Sequence, residues 1–248
     1  MFRDATALTG RLMKAIVRSP DTIITVALTP IAFLLLFRYV FGGAIETGYE
    51  NYTNYLLPGI LLITVASGVA YTAFRLFNDK TKGINARFST MPIARSAVLW
   101  SHVLTSLVSN LVTAVIIIGV GFAMGFRPQA TFVGWLGFIG VLALFTLALT
   151  WLSVIPGLTA SSVEGASAFS YPLIFLPFLS SAFVPTATMP GPVRWFAENQ
   201  PVTSIVESMR SLIEGQAVGN DIWVALAWMV GIGVVAYVLA VRTYNKTA

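Results

Sequence analysis

Six long apolar stretches, separated by short polar segments, dominate this sequence of 248 residues. A helix that crosses the hydrocarbon core of a bilayer needs about 20 apolar residues. In lipid the backbone must satisfy its own hydrogen bonds, so such stretches become helices. Only 10% of the residues are charged, against about 25% in a typical soluble domain. The sequence therefore predicts an all-α membrane protein, a single transmembrane domain over residues 1–248. The six predicted transmembrane helices are Ile23–Phe41, Leu56–Phe74, Val98–Gly125, Phe132–Ile155, Ala166–Pro185 and Ile222–Val241.

The basic residues are distributed unevenly among the segments between these spans. Of the 15 basic residues, 11 lie in the N-terminal segment, the loop after the second span and the C-terminal segment. Six spans place these three segments on one side of the membrane. Because basic loops stay in the cytoplasm, the pattern predicts cytoplasmic N and C termini in the plasma (inner) membrane. This topology also explains the net charge of +5, so we expect contact with membrane lipid and no nucleic-acid partner.

The first 20 residues have an amphipathic pattern. Phe2, Leu8, Leu12 and Ile16 recur at near-helical spacing, while the basic residues occupy other faces. The pattern predicts an interfacial helix over residues 1–20, lying on the cytoplasmic leaflet. The alternative is a disordered basic tail, but the continuous apolar face favours the helix.

Residues 75–95, after the second span, form a basic segment with two reasonable interpretations. Ile84, Phe88 and Met91 are spaced so that they could form one apolar stripe of a short helix. Such a helix would suit docking into a groove on a partner protein. An ordinary charged loop would serve only to fix the topology. The spacing by itself favours neither interpretation.

Residues 186–219, before the last span, are too polar to cross a bilayer and too apolar for a plain loop. Ile205, Met209 and Leu212 have helical spacing within this segment. We expect two short re-entrant helices that dip partly into the outer leaflet, where protein must cover any irregular backbone. The alternative is a solvent-exposed hairpin that caps the bundle.

Several chemical motifs are missing from the sequence. It has no GxxxxGK[ST] phosphate-binding loop, so we expect a chain that is not an enzyme and does not hydrolyse ATP. It has no cysteine, and we expect no metal site and no cofactor on this chain. The middle of every span lacks acidic residues, which argues against ion coupling because that usually needs ionisable groups at depth. The one histidine, His102, is interpreted as a packing residue near the cytoplasmic start of the third span.

Residues 75–95 contain, in order, Asp79-Lys80, Gly83, Arg87, Pro92 and Arg95, and the segment before the last span contains Met189-Pro190, Trp195, Pro201 and Arg210. The order of these residues resembles that of permease subunits of type-2 ABC exporters, the family of daunorubicin-type drug, polysaccharide and lipid exporters. The resemblance covers the N-terminal helix, the six spans, residues 75–95 and the outer segment. It implies that residues 75–95 include the coupling helix that contacts an ATPase subunit. The residues expected to couple are Asp79, Lys80, Gly83, Ile84, Arg87, Phe88, Met91, Pro92 and Arg95. The residues that match the family in the outer segment are Met189, Pro190, Trp195, Pro201 and Arg210.

The resemblance implies a membrane permease for an amphipathic substrate, such as a drug, a lipid or a lipid-linked glycan. Two permease chains, identical or homologous, would pair with two separate ABC ATPase subunits, which would hold ATP and Mg. Aromatic candidates for the substrate pathway, each of which could equally serve simple packing, are Phe33, Phe37, Phe41, Phe175 and Phe178. The alternative function is an ion-coupled transporter or lipid scramblase that works without an ATPase, and a third is a membrane scaffold.

Overall fold

The structure is a computed structural model that describes residues 2–18, 21–45, 48, 51–84 and 95–247. Within these ranges all regular structure is helical. The α-helices are α1 Phe2–Arg18, α2 Asp21–Leu35, α3 Tyr52–Thr81, α4 Arg95–Ala123, α5 Phe132–Thr159, α6 Val163–Ala168, α7 Ser170–Phe175, α8 Gly191–Asn199, α9 Pro201–Ile213 and α10 Asp221–Thr247. A π-helical turn, Leu36–Phe41, continues α2, and 3-10 turns occur at Leu176–Leu179 and Thr186–Thr188.

Helix α3 forms the centre of the bundle. Of its apolar window, 83% is buried, and it contacts α2, α4, α5, α6 and α7. A helix that is apolar around its whole circumference is stable only when it is surrounded, and Leu56, Ile60 and Ile63 are fully buried. Gly59 allows the chain to approach closely, since a Cβ at that position would lie 2.6 Å from the Cβ of Ala182.

Helices α2 and α10 lie on the outside of the bundle. In each, only 22% of the apolar window is buried, and α10 packs mainly against α5. The side chains of Leu28, Val234 and Val235 are more than half exposed. Such faces are unfavourable in water but compatible with lipid, where hydrocarbon is the solvent. The predicted class, an all-α membrane protein, is thereby confirmed.

The predicted fifth span, Ala166–Pro185, is not one long helix. Its residues form α6, α7 and a 3-10 turn within the shorter apolar stretch Val163–Leu179. Pro172 and Pro177 lie in this stretch and lack the backbone N–H that a continuous helix uses. Among the described residues, five helices are long and apolar enough to cross a membrane. The count of six spans therefore stays a prediction.

The second predicted span extends further than expected. Helix α3 continues to Thr81, so residues 75–81 are helical rather than part of a loop. The helix ends at Thr81, and Gly83, two residues later, has a φ of +67°, the left-handed conformation that glycine adopts easily. The backbone N–H of Gly83 donates to the carbonyl of Lys80 at 3.1 Å.

The predicted interfacial segment, residues 1–20, and the predicted outer segment, residues 186–219, both contain helices. Helix α1 packs against α4 and buries Leu12 and Ile16, two residues of its apolar stripe. In the outer segment, α8 and α9 are separated at Gln200, whose side chain accepts a hydrogen bond from the N–H of Val202 at 3.3 Å. Pro201 begins α9, a position where its missing N–H costs nothing. The placement of both segments at the membrane surfaces stays a prediction.

Candidate functional site

The five phenylalanines proposed for the substrate pathway lie in one cluster. Phe178 is its centre, with ring centroids 5.3 Å from Phe33, 6.1 Å from Phe37 and 6.2 Å from Phe175. Phe41 joins through Phe37, at 5.5 Å. The cluster thus connects α2 and its π-helical turn with the broken stretch 163–179.

Phe183, which the sequence analysis did not select, completes this aromatic cluster. Its ring stacks on that of Phe37, with centroids 4.5 Å apart and an interplanar angle of 12°. It also lies 4.9 Å from Phe178. Phe183 is 2% exposed, whereas Phe175 is 62% exposed. The aromatic cluster therefore extends from the core of the chain to its surface.

The first part of the predicted coupling segment is held by polar contacts around Asp79. Its carboxylate lies 3.4 Å from the guanidinium of Arg11 on α1 and 3.4 Å from Nε2 of His102 on α4. The neighbouring Lys80 donates from Nζ to the carbonyl of Leu158 on α5 at 2.6 Å. These contacts tie the end of α3 to three other helices. His102 is thus buried next to a carboxylate, a role beyond the packing expected from the sequence.

The remaining coupling residues are divided between described and undescribed parts of the chain. Gly83 and Ile84 lie just beyond the end of α3, and Arg95 is the first residue of α4. The positions of Arg87, Phe88, Met91 and Pro92 lie outside the described residues. The proposed apolar stripe is therefore described only at Ile84, and its role stays a prediction.

Arg210 is the most deeply engaged residue of the outer segment. Its side chain is 2% exposed, and its guanidinium lies 3.6 Å from the ring centroid of Tyr55. Nη1 donates to Glu207 at 2.7 Å, and Nη2 donates to the carbonyls of Tyr55 at 3.2 Å and Ser181 at 3.0 Å. The side chain thus joins α9 to α3 and to the chain that follows α7. A buried guanidinium with these partners fixes the position of the outer segment.

The other family-matched residues of the outer segment are more peripheral. Trp195, on α8, is 69% exposed, and Met189 and Pro190 precede α8. Pro201 begins α9 and is partly buried. The structure does not bring these four residues together with Arg210 in one site. An exposed tryptophan here is compatible with the membrane interface, where such rings prefer to lie.

A second polar contact site at this end of the bundle was not anticipated. The Nδ2 of buried Asn54 donates to the carbonyl of Arg127 at 2.9 Å and to the carboxylate of Glu214 at 3.0 Å. Its Oδ1 accepts from the backbone N–H of Arg127 at 2.9 Å. One amide therefore links α3, the loop before α5 and the turn after α9. The available signal was an amide side chain two positions before the predicted second span.

The described residues contain no group of three or more histidine, aspartate or glutamate side chains placed to hold a metal ion.

A protein-family model and several permease sequences match most of the chain. Residues 3–213 match the family model described as ABC-2 type transporter. A daunorubicin resistance ABC transporter permease of Streptomyces coeruleorubidus is 32% identical over 243 residues, which cover 96% of this chain and 85% of the relative. A probable doxorubicin resistance ABC transporter permease of Mycobacterium tuberculosis is 25% identical over 241 residues, 97% of this chain and 87% of the relative. A putative transport permease of Porphyra purpurea is 26% identical over 216 residues, 85% and 74% of the two chains.

Proposed function

Because the chain belongs to the ABC-2 type transporter family and is a membrane permease subunit of an ABC exporter, we propose that it works with two separate ATPase subunits and a second permease chain. ATP and Mg bind to the ATPase subunits, and both termini of the permease face the cytoplasm of the plasma membrane. The observation that carries this proposal is the similarity to drug-resistance permeases over nearly the full length of the chain.

The ATPase acts on the segment that begins at Asp79. Contacts at this residue and at Lys80 reach α1, α4 and α5. A displacement of the chain between α3 and α4 is therefore transmitted to three helices at once. The force of ATPase closure moves the cytoplasmic ends of the helices together and changes the separation of α2 from the stretch 163–179 at the aromatic cluster.

The substrate is a flat, amphipathic aromatic drug that moves along the aromatic cluster. Two relatives are named for resistance to daunorubicin and doxorubicin. The exposed ring of Phe175 and the partly buried ring of Phe178 offer contact surfaces of graded depth. Aromatic pairs contribute about 0.5–1.5 kcal/mol beyond the burial of their area, so successive rings hold such a molecule without trapping it.

Efflux of fluorescent daunorubicin from proteoliposomes that contain the chain and its ATPase tests the substrate pathway. Phe178→Ala and the bulkier Phe178→Leu should both lower the efflux rate at low drug concentration about two- to tenfold, because both remove the ring. Phe132→Ala is the matched control, since Phe132 is 79% exposed and lies on α5, away from the aromatic cluster. Wild-type efflux in both Phe178 variants would show that the cluster is only packing.

The coupling segment is tested by a second pair of variants. Phe88→Ala should weaken assembly with the ATPase, because burying a phenylalanine side chain contributes about 1.5–3 kcal/mol. Lys82→Ala, at an exposed position, should change assembly by no more than about 1 kcal/mol. Co-purification of the ATPase and drug-stimulated ATP hydrolysis measure the two effects. Equal complex formation by Phe88→Ala and wild type would reduce this segment to a topology determinant.

A further inference from the structure

An apolar groove of about 290 Å³ lies over α5, between α4 and α10. Both α4 and α10 pack on α5, but over their described residues they do not pack extensively on each other. Side chains from all three helices line the groove, and none of them belongs to the aromatic cluster. The groove is therefore the gap that remains where two helices flank a third.

Three aromatic rings close one end of the groove. Trp100 on α4 lies 5.2 Å from Trp151 on α5, with an interplanar angle of 85°. Trp151 lies 4.8 Å from Tyr237 on α10, at 90°. These edge-to-face arrangements are the ones that aromatic pairs prefer, so the rings hold one another in place. Trp151 and Tyr237 are the last lining residues of their helices, and the groove ends against a rigid wall.

Two small residues form the floor of the groove. Gly233 on α10 faces Ala148 on α5, and a Cβ at position 233 would lie 3.7 Å from the Cα of Ala148. Because glycine has no side chain and alanine has only a methyl group, the helices meet here without filling the space above them. The depression is thus a direct consequence of the residue types at these two positions.

The groove opens onto the surface that α10 presents to lipid. Val230 and Val234 at its mouth are 50% and 58% exposed, and they belong to the apolar window of α10, of which 22% is buried. The side chains that line the groove are apolar except for the hydroxyl of Tyr237 and the indole N–H groups. The groove is therefore continuous with the lipid-facing surface of the bundle, where hydrocarbon is the solvent.

The size and shape of the groove indicate which part of a lipid it takes. An apolar cavity of about 150 Å³ holds a benzene molecule, so about 290 Å³ holds several methylene groups of a chain. In hydrocarbon, association is driven by packing, and a concave wall makes more contacts with a chain than a flat helix face does. We propose that this groove holds one acyl chain of a membrane phospholipid. The proposal does not rest on the ATPase, on a second permease chain or on drug transport.

Filling the groove from its floor tests the proposal. In Gly233→Leu the new Cβ makes only ordinary contacts, and the rest of the side chain occupies the groove. Gly231→Leu is the matched control, because it lies on the same helix, is exposed and has nothing within 4 Å of its Cβ. Native mass spectrometry of the delipidated full chain, titrated with dioleoyl phosphatidylcholine, counts bound lipids. We expect one saturable lipid per chain, with its apparent Kd raised about tenfold in Gly233→Leu through lost packing and unchanged in Gly231→Leu.

Quenching of Trp151 locates the bound chain. Trp151 is 5% exposed and lines the groove, so a phosphatidylcholine brominated in the middle of its acyl chains reaches this ring through the groove. The contribution of Trp151 is the difference in quenching between wild type and Trp151→Phe, which keeps a ring in the wall. We expect this difference to be large in wild type and in Gly231→Leu, and small in Gly233→Leu.

Two results would overturn the proposal. One is an equal lipid Kd in Gly233→Leu and wild type. The other is a Trp151 that brominated lipid does not quench, as expected if a second copy of the chain or another protein covers the groove. If Gly233→Leu fails to fold, the quenching of Trp151 in the chain with its native glycines still decides between these outcomes.

Discussion

Replacing Arg210 tests whether its buried guanidinium holds the outer segment in place. Arg210→Met keeps most of the apolar stem and removes the donors to Glu207, Tyr55 and Ser181. Each buried carbonyl left without a donor costs about 1–3 kcal/mol. The side chain of Glu207 is 33% exposed, so the loss of its ion pair adds only about 0–1 kcal/mol. We therefore expect the free energy of unfolding to fall by about 3–5 kcal/mol.

Scanning fluorimetry on the six tryptophans measures this loss without a label. For a chain of this size, 1 kcal/mol corresponds to about 2–4 °C in Tm, so Tm should fall by at least about 6 °C at a fixed scan rate. Arg194→Met is the matched control, because Arg194 is 49% exposed and pairs with Glu198 at 2.7 Å. Such exposed pairs contribute about 0–1 kcal/mol. Equal Tm values for Arg210→Met and Arg194→Met would refute the argument that burial makes Arg210 structurally essential.

Two further predictions concern topology and packing. Cysteines introduced at Thr81 and Thr188, both exposed positions, should react with an impermeant reagent from opposite sides of the membrane; reaction of Thr81→Cys from outside would invert the topology. Gly59→Ala should lower the free energy of unfolding by about 1–3 kcal/mol, because its Cβ would lie 2.6 Å from the Cβ of Ala182. Gly231→Ala has nothing within 4 Å of its Cβ and should be neutral or raise stability by up to about 1 kcal/mol, so an equal effect of both substitutions would contradict the close approach.

The average hydropathy of long sequence windows correctly predicted the positions of the long apolar helices. Helices α2 through α5 and α10 each overlap a predicted span, because a bilayer imposes a minimum length on any apolar helix that crosses it. The segment Ala166–Pro185 has the same average composition but forms short helices. Its prolines, at positions 172 and 177, interrupt hydrogen bonding locally, which a window average of hydropathy does not detect.

In the candidate sites, too, the sequence identified some of the residues, but only the tertiary packing decided which of them meet. Aromatic residues on α2 and in the stretch 163–179 were identified from their type, but their meeting in one cluster depends on how these segments pack. Phe183 was missed because it follows the predicted aromatic run and is buried by tertiary contacts. Asp79 and His102, 23 positions apart in sequence, approach within 3.4 Å only because α3 and α4 pack side by side.

The sequence by itself determined that this chain is helical, resides in a membrane and lacks a phosphate-binding loop. Those properties depend on composition and on local periodicity, which burial in lipid converts directly into helices. The tertiary structure alone decided which polar groups inside the apolar chain find partners. The guanidinium of Arg210 and the amide of Asn54 are each held by groups distant in sequence, and a buried polar group is stable only where the packing of several helices supplies those partners.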